Sequence, residues 1–383
     1  MLAIALTMLV CMAGAGVWLG LHHSPRQAGS GTTVEISASN CGQGWASPHA
    51  GLQTINLHND GDAAAEAYLI KLPGGAIYGE VDNLGPNTTD PLLVRLGDGT
   101  YAFRCIAEDV NAVMGPHVTI RGGSANGGPA APPVTENELL GPLRTYQAYV
   151  GAGLAELSGQ VRTVAADVGS GNLAQARTDW LPAHMTYERL GAAYGTFGDY
   201  DAAIDGRADG LPAGVQDPSF QGFHRLEYGL WNGQSNTELT PVVNQLVQSV
   251  GALQAAWPSM EIDPIDLGLR AHEIMENALQ FSLSGDDDYG SGTGLATISA
   301  NLTGTTELLT ILHPLLVTRD RDLGQSAWMT RTEQLVSSFD GAQGWTPVAD
   351  LSIAQREDLE GTIDGLLQRL ATVATTCEVR RTT

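Results

Sequence analysis

Residues 143–164 read LRTYQAYVGAGLAELSGQVRTV, and the spacing of their apolar side chains decides the architecture of the larger part of the chain. Leu143, Tyr146, Val150, Leu154, Leu157, Val161 and Val164 step by threes and fours, which places them on one face of a helix. Such a stripe is a core-facing seam. The same period returns near the C-terminus in Leu359, Ile363, Leu366, Leu370 and Val373. Residues 136–383 are therefore expected to form an all-α helical bundle, interrupted by Gly- and Asp-rich loops at Asp205–Phe220 and Ser284–Gly294.

Upstream the period changes. Thr33-Val34-Glu35-Ile36, Ile55-Asn56-Leu57-His58 and Tyr101-Ala102-Phe103-Arg104-Cys105 are short alternating runs, with turns at Asn59-Asp60-Gly61 and Asp98-Gly99. Residues 30–121 are expected to form an N-terminal β-sandwich. Residues 122–135, rich in Gly, Ala and Pro, have no periodicity and read as a linker. Residues 1–28 read as a signal peptide or membrane anchor, because Leu2–Leu21 is a nearly unbroken apolar run without a charge. The chain is thus expected to be extracytoplasmic, released or held by residues 2–21. The run lacks the basic start of an ordinary signal, and Ala13-Gly14-Ala15 is its small-residue cleavage candidate.

The 383 residues carry a formal net charge of −23, which repels phosphate backbones and anionic lipid and so argues against nucleic acid as a partner. Cations are the natural clients of such a surface. Outside the leader, Cys41, Cys105 and Cys377 are an odd set. In an oxidising compartment Cys41 with Cys105 is the expected disulfide, which leaves Cys377 free.

Chemistry concentrates in the helical half. In Gly222-Phe223-His224-Arg225-Leu226-Glu227 an imidazole and a carboxylate stand at i,i+3 on one helical face, among bulky apolar neighbours. His184 with Glu188, and His272 with Glu276, repeat the pairing at i,i+4. Each pair alone also reads as an ion pair. Together they suggest metal binding, since bundles build such sites from inward-facing Glu and His on separate helices. His224, Glu227 and Glu188 are the first candidate ligands, followed by Glu156 and His184. His272, Glu273 and Glu276 form a second candidate cluster. Imidazole with carboxylate suits iron, ferrous or ferric, with zinc or manganese as alternatives. The segment His272-Glu273-Ile274-Met275-Glu276 approaches the zinc-protease motif H-E-x-x-H but has Glu276 where the second His belongs, so hydrolysis is a lesser alternative. There is no G-x-S-x-G elbow and no phosphate-binding loop.

Gly99-Thr100-Tyr101-Ala102-Phe103-Arg104-Cys105 resembles the penultimate strand of cupredoxins, in which the Cys ligates copper. The accompanying His residues are absent: Glu66 stands where the first is expected, and none appears between Cys105 and Met114. A set of Glu66, Cys105 and either Met114 or Cys41 is the metal-binding alternative. A metal-free domain stapled by Cys41 and Cys105 is preferred.

The whole order of features resembles the EfeO-type iron-uptake components of bacteria: leader, cupredoxin-like domain, linker, imelysin-like helical domain. Gly222-Phe223-His224-Arg225-Leu226-Glu227-Tyr228 matches that family's G-x-H-x-x-E. Ala271-His272-Glu273-Ile274-Met275-Glu276 followed by Ser284-Gly285 matches as well, and Tyr187-Glu188-Arg189-Leu190 resembles its Y-E-R-I-E segment, with Gly191 in place of the last Glu. His184 is the candidate to compensate for that carboxylate. The resemblance implies a protein that binds iron outside the membrane and passes it to an iron permease, often beside a haem peroxidase. Imelysins were first grouped with peptidases, so a metallopeptidase is the alternative. A non-metal surface-binding module is the second.

Overall fold

The structure is a computed structural model that describes residues 32–107, 111–124, 127–128, 130, 132–319 and 327–379. The candidate leader, residues 1–28, lies outside them. Among the described residues no helix is long and apolar enough to cross a membrane. Two compact units divide the chain, one of residues up to Ile70 with Gly79–Gly128, the other of Lys71–Tyr78 with Pro129 onward.

The first unit is β. Strands β1 (Thr32–Ile36), β2 (Cys41–Gln43), β3 (Gly51–His58), β4 (Ala65–Leu72), β5 (Ala76–Leu84), β6 (Thr89–Leu96), β7 (Gly99–Ala107), β8 (Val113–Met114) and β9 (Val118–Ile120) form two sheets. One has the order β2-β1-β3-β6, the other β5-β4-β7-β8 with β9 also on β7. The alternation in β6 is the expected one: Leu92, Val94 and Leu96 are buried while Leu93 and Arg95 are exposed. Strand β7 is flanked on both sides and buried along most of its length. At the turn after β3 the Asn59 side chain accepts the Gly61 N–H at 2.9 Å, an Asx-turn that the Asn-Asp-Gly sequence announces. Cys41 on β2 and Cys105 on β7 form a disulfide that staples one sheet to the other, with Cα atoms 5.7 Å apart.

The second unit is built from α1 (Glu136–Ser170), α2 (Leu173–Glu188), α3 (Tyr194–Phe197), α4 (Asp199–Asp205), α5 (Gly222–Trp231), α6 (Asn236–Ala256), α7 (Asp266–Asn277), α8 (Gly294–Leu316), α9 (Ala327–Ser337) and α10 (Ile353–Cys377). Helix α1 starts where Glu138 reaches back to the Thr135 N–H at 3.0 Å, and it stops at Gly171 in the left-handed region at φ 80°. Its stripe, Leu143 to Val164, is buried against α2 and α6. The C-terminal stripe on α10 is buried too and packs on α7 and α9. One departure from an all-α second unit is a small hairpin, β10 (Asp340–Gly341) with β11 (Gly344–Trp345), closed by Gly344 at φ 92°. The two Gly- and Asp-rich stretches are indeed connections: α4 ends at Asp205 and α8 begins at Gly294.

Candidate metal centre

Four elements converge on one buried point. Helix α2 carries His184 and Glu188 in its last turns, α4 ends on Asp205, α5 carries His224 and Glu227, and the connection before α8 carries Tyr289 and Ser291. Two contacts fix this convergence. The guanidinium of Arg177 on α2 donates to the carbonyl of Leu230 at the end of α5, at 2.9 and 2.6 Å. Gly222 opens α5 at φ 85°, with its α-carbon so close to the end of α4 that a Cβ there would collide with the Ile204 carbonyl. The glycine of G-x-H-x-x-E thus lets α5 approach α4, and that approach sets Asp205 beside His224.

His184 Nε2 lies 3.0 Å from Asp205 Oδ1 and 3.2 Å from Glu188 Oε1. His224 Nε2 lies 3.6 Å from Asp205 Oδ2. One ligand atom each from His184, Asp205 and His224 falls within 4.8 Å of the others, which among the described residues is the one such His/Cys/Asp/Glu group. Glu227 has another part. Its Oε2 meets His224 Nδ1 at 3.4 Å, while its Oε1 accepts the N–H groups of Tyr289 at 3.1 Å and Ser291 at 3.0 Å. The i,i+3 spacing therefore places Glu227 behind the imidazole, where it fixes the ring and aims Nε2 inward, the usual arrangement behind a metal-binding histidine. His184 Nδ1 has no hydrogen-bond partner, so that ring is set by packing against Trp180 and Phe223 at centroid distances of 4.8 and 5.2 Å.

The electrostatics are those of a buried acidic cluster. Among the described residues no Arg pairs with Glu188, Asp205 or Glu227. Burial alone would lower both imidazoles, but Asp205 with Glu188 holds His184 well above the ordinary histidine value, and Asp205 with Glu227 raises His224. Burial would raise Asp205, yet His224 and His184 hold its carboxyl far below the ordinary range. Burial pushes Glu188 up to about 7, moderated by His184. Asp201, one turn before Asp205, is pushed up to about 6 by burial although the Tyr187 hydroxyl donates to it at 2.6 Å. Without a metal, protons on the imidazoles balance the carboxylates. Two imidazole nitrogens and carboxylate oxygens facing one point are a donor set that fits iron, zinc or manganese.

The other predicted residues lie elsewhere. Glu156 is not part of the cluster: it sits on the solvent flank of α1, its side chain 54% exposed and 3.5 Å from Arg189. His272 pairs with Glu276 at 3.6 Å on the outer side of α7, and Glu273 pairs with Arg270. In the β unit, Cys41 and Cys105 spend their sulfurs on each other and Met114 is 46% exposed. The Glu66 carboxylate accepts the Tyr68 hydroxyl at 2.9 Å. The proposed set of Glu66, Cys105, Met114 and Cys41 therefore does not converge on a metal. Sequence reasoning missed Asp205. Its signal was the Asp201/Asp205 pair at i,i+4 just ahead of a loop, which reads as ordinary solvated helix end. It also missed Tyr289, whose ring lies 5.2 Å from that of His224 and whose hydroxyl accepts the Ala208 N–H at 2.8 Å. The two long connections meet there.

The family model for Imelysin matches residues 142–341. The iron uptake system component EfeO of Yersinia pseudotuberculosis serotype I (strain IP32953) is 27% identical over 324 residues, 84% of this chain and 84% of its own. The protein of the same name from Escherichia coli (strain K12) is 24% identical over 344 residues, 88% of this chain and 89% of its own. A crystal structure of an imelysin-like protein from Psychrobacter arcticum 273-4 is 14% identical with a TM-score of 0.49, covering 65% of this chain and 98% of that one.

Proposed function

From the premise that this chain belongs to the imelysin family, we propose that it is the extracytoplasmic iron-binding component of a bacterial iron-uptake system. Iron is its cargo, taken by His184, Asp205, His224 and Glu188, and handed to a membrane permease. The relatives that align with most of its length are named as iron uptake system components. The observation that carries the reading is the convergence of His184, Asp205 and His224 within 4.8 Å in a buried site, with carboxylates in excess of imidazoles and no Arg partner among the described residues. A buried acidic cluster of this kind is costly unless a cation joins it.

The donors divide the labour. Asp205, placed between the rings, supplies charge to both. Glu227 holds His224 in the tautomer with Nε2 free and ties the ring to the backbone at Tyr289 and Ser291. Ion capture then couples to the connection between α7 and α8, and loosening that connection would open the path for release. The zinc-protease motif lacks its second His, with Glu276 in that place, and His272 and Glu273 pair with Glu276 and Arg270 on α7 rather than joining His184, Asp205 and His224, so binding and delivery describe the site better than peptide hydrolysis. Equilibrium dialysis of the full chain against ferric citrate, with iron counted by elemental analysis, tests this. One tightly held equivalent, lost in His224→Ala, is the expected result. An equal iron content in the variant overturns the reading.

A further inference from the structure

Glu188 faces more than the buried cluster. It also lines a cavity of about 60 Å³ together with Tyr194, Arg270, Glu273, Asn277 and Asn301, room for a cation with water ligands. Asn301 is the informative member. It is only 5% exposed, and its carboxamide makes no hydrogen bond among the described residues, while its backbone carbonyl on α8 also accepts the Thr305 hydroxyl. Its Oδ1 is directed toward Gly191 on the cavity wall, 3.6 Å from where a Cβ there would stand. An amide without a side-chain partner that opens on a cavity marks a place where something polar belongs. Opposite it, Glu273 pairs with the guanidinium of Arg270 on the preceding turn of α7, a side chain 30% exposed.

We propose that this cavity is a second cation position, taking a hard divalent ion through oxygen donors of Glu188, Glu273, Asn277 and Asn301, with Glu188 bridging it to the His184/Asp205/His224 cluster. The donor chemistry selects the ion class: carboxylates and carboxamides without nitrogen or sulfur ligands suit hard cations. Arg270 is the stand-in charge. It neutralises Glu273 in the metal-free protein, and being partly exposed it can swing away when the ion arrives. The inference rests on the proposed function in one respect, that Glu188 is shared between the two positions.

The test is a titration of the full chain with Mn2+ followed by electron paramagnetic resonance. The wild type is expected to take up two equivalents, and at full load its spectrum shows spin coupling through the shared carboxylate. Glu273→Gln and Asn301→Ala, each checked for native circular dichroism, are expected to hold one equivalent with an uncoupled spectrum. Two equivalents in both variants overturn the second position. A single equivalent in the wild type that His224→Ala removes overturns it too, while leaving the proposed function standing. A single equivalent kept by His224→Ala and removed by Glu273→Gln overturns the two-ion reading and the proposed function together.

Discussion

Replacing Asp205 by Asn keeps the shape of the side chain and removes the charge that both imidazoles share. The carboxylate stands 3.0 Å from His184 Nε2 and 3.6 Å from His224 Nε2 and is 13% exposed, so solvent screens it little. Removing one member of a buried, hydrogen-bonded charge set costs about 3–5 kcal/mol. At about 1.4 kcal/mol per decade, that weakens iron binding by roughly two to three and a half decades. The metal-free protein loses less, because the imidazoles can shed their protons once the counter-charge is gone. Competition against nitrilotriacetate, with thermal melting as the fold control, measures the difference. A change of less than about threefold in affinity in a well-folded variant would refute the assignment of Asp205 as the shared anionic ligand.

Further expectations follow from the same geometry. Glu227→Gln keeps an acceptor for Tyr289 and Ser291 but loses the charge behind His224, and affinity is expected to fall about 10–100-fold; an unchanged affinity by the same competition assay contradicts the orienting role. Metal must displace protons that the raised imidazoles retain, so affinity is expected to rise with pH across and above the ordinary histidine range, and calorimetry in buffers of different ionisation enthalpy should show proton release. No proton release would mean the imidazoles are not ligands. Gly222→Ala forces a side chain into φ 85° against the end of α4, with a strain cost of about 1–3 kcal/mol, and is expected to lower both the melting temperature and iron affinity. Cys41→Ser with Cys105→Ser opens a disulfide across a sequence separation of 64, which chain entropy values at about 4 kcal/mol, and should lower the unfolding midpoint of the β unit while iron binding is kept.

The architecture was legible where burial leaves a regular trace. The stripe from Leu143 to Val164 and the alternation around Leu92, Val94 and Leu96 exist because one face of each element meets a core, and such periods survive in a single sequence. The pairs His184/Glu188 and His224/Glu227 were legible for the same reason, since residues three and four apart share a helical face. What each member does was less so. Spacing shows that Glu227 is beside His224, but only the backbone N–H groups of Tyr289 and Ser291 show which way its carboxylate turns. Asp205 belongs to a helix too short for a periodic signal, and its role arises from the approach of α4 to α5 at Gly222. Glu156 reads as a candidate ligand on the first long helix, yet the helical turn between Leu154 and Leu157 sends it to solvent.

The central claim, that iron sits among His184, Asp205 and His224, is tested most directly by an anomalous difference map from iron-loaded crystals collected above the iron absorption edge. The account predicts a peak at bonding distance from both Nε2 atoms and an oxygen of Asp205. A map with iron bound only at the β unit, or on the His272/Glu276 pair of α7, contradicts it.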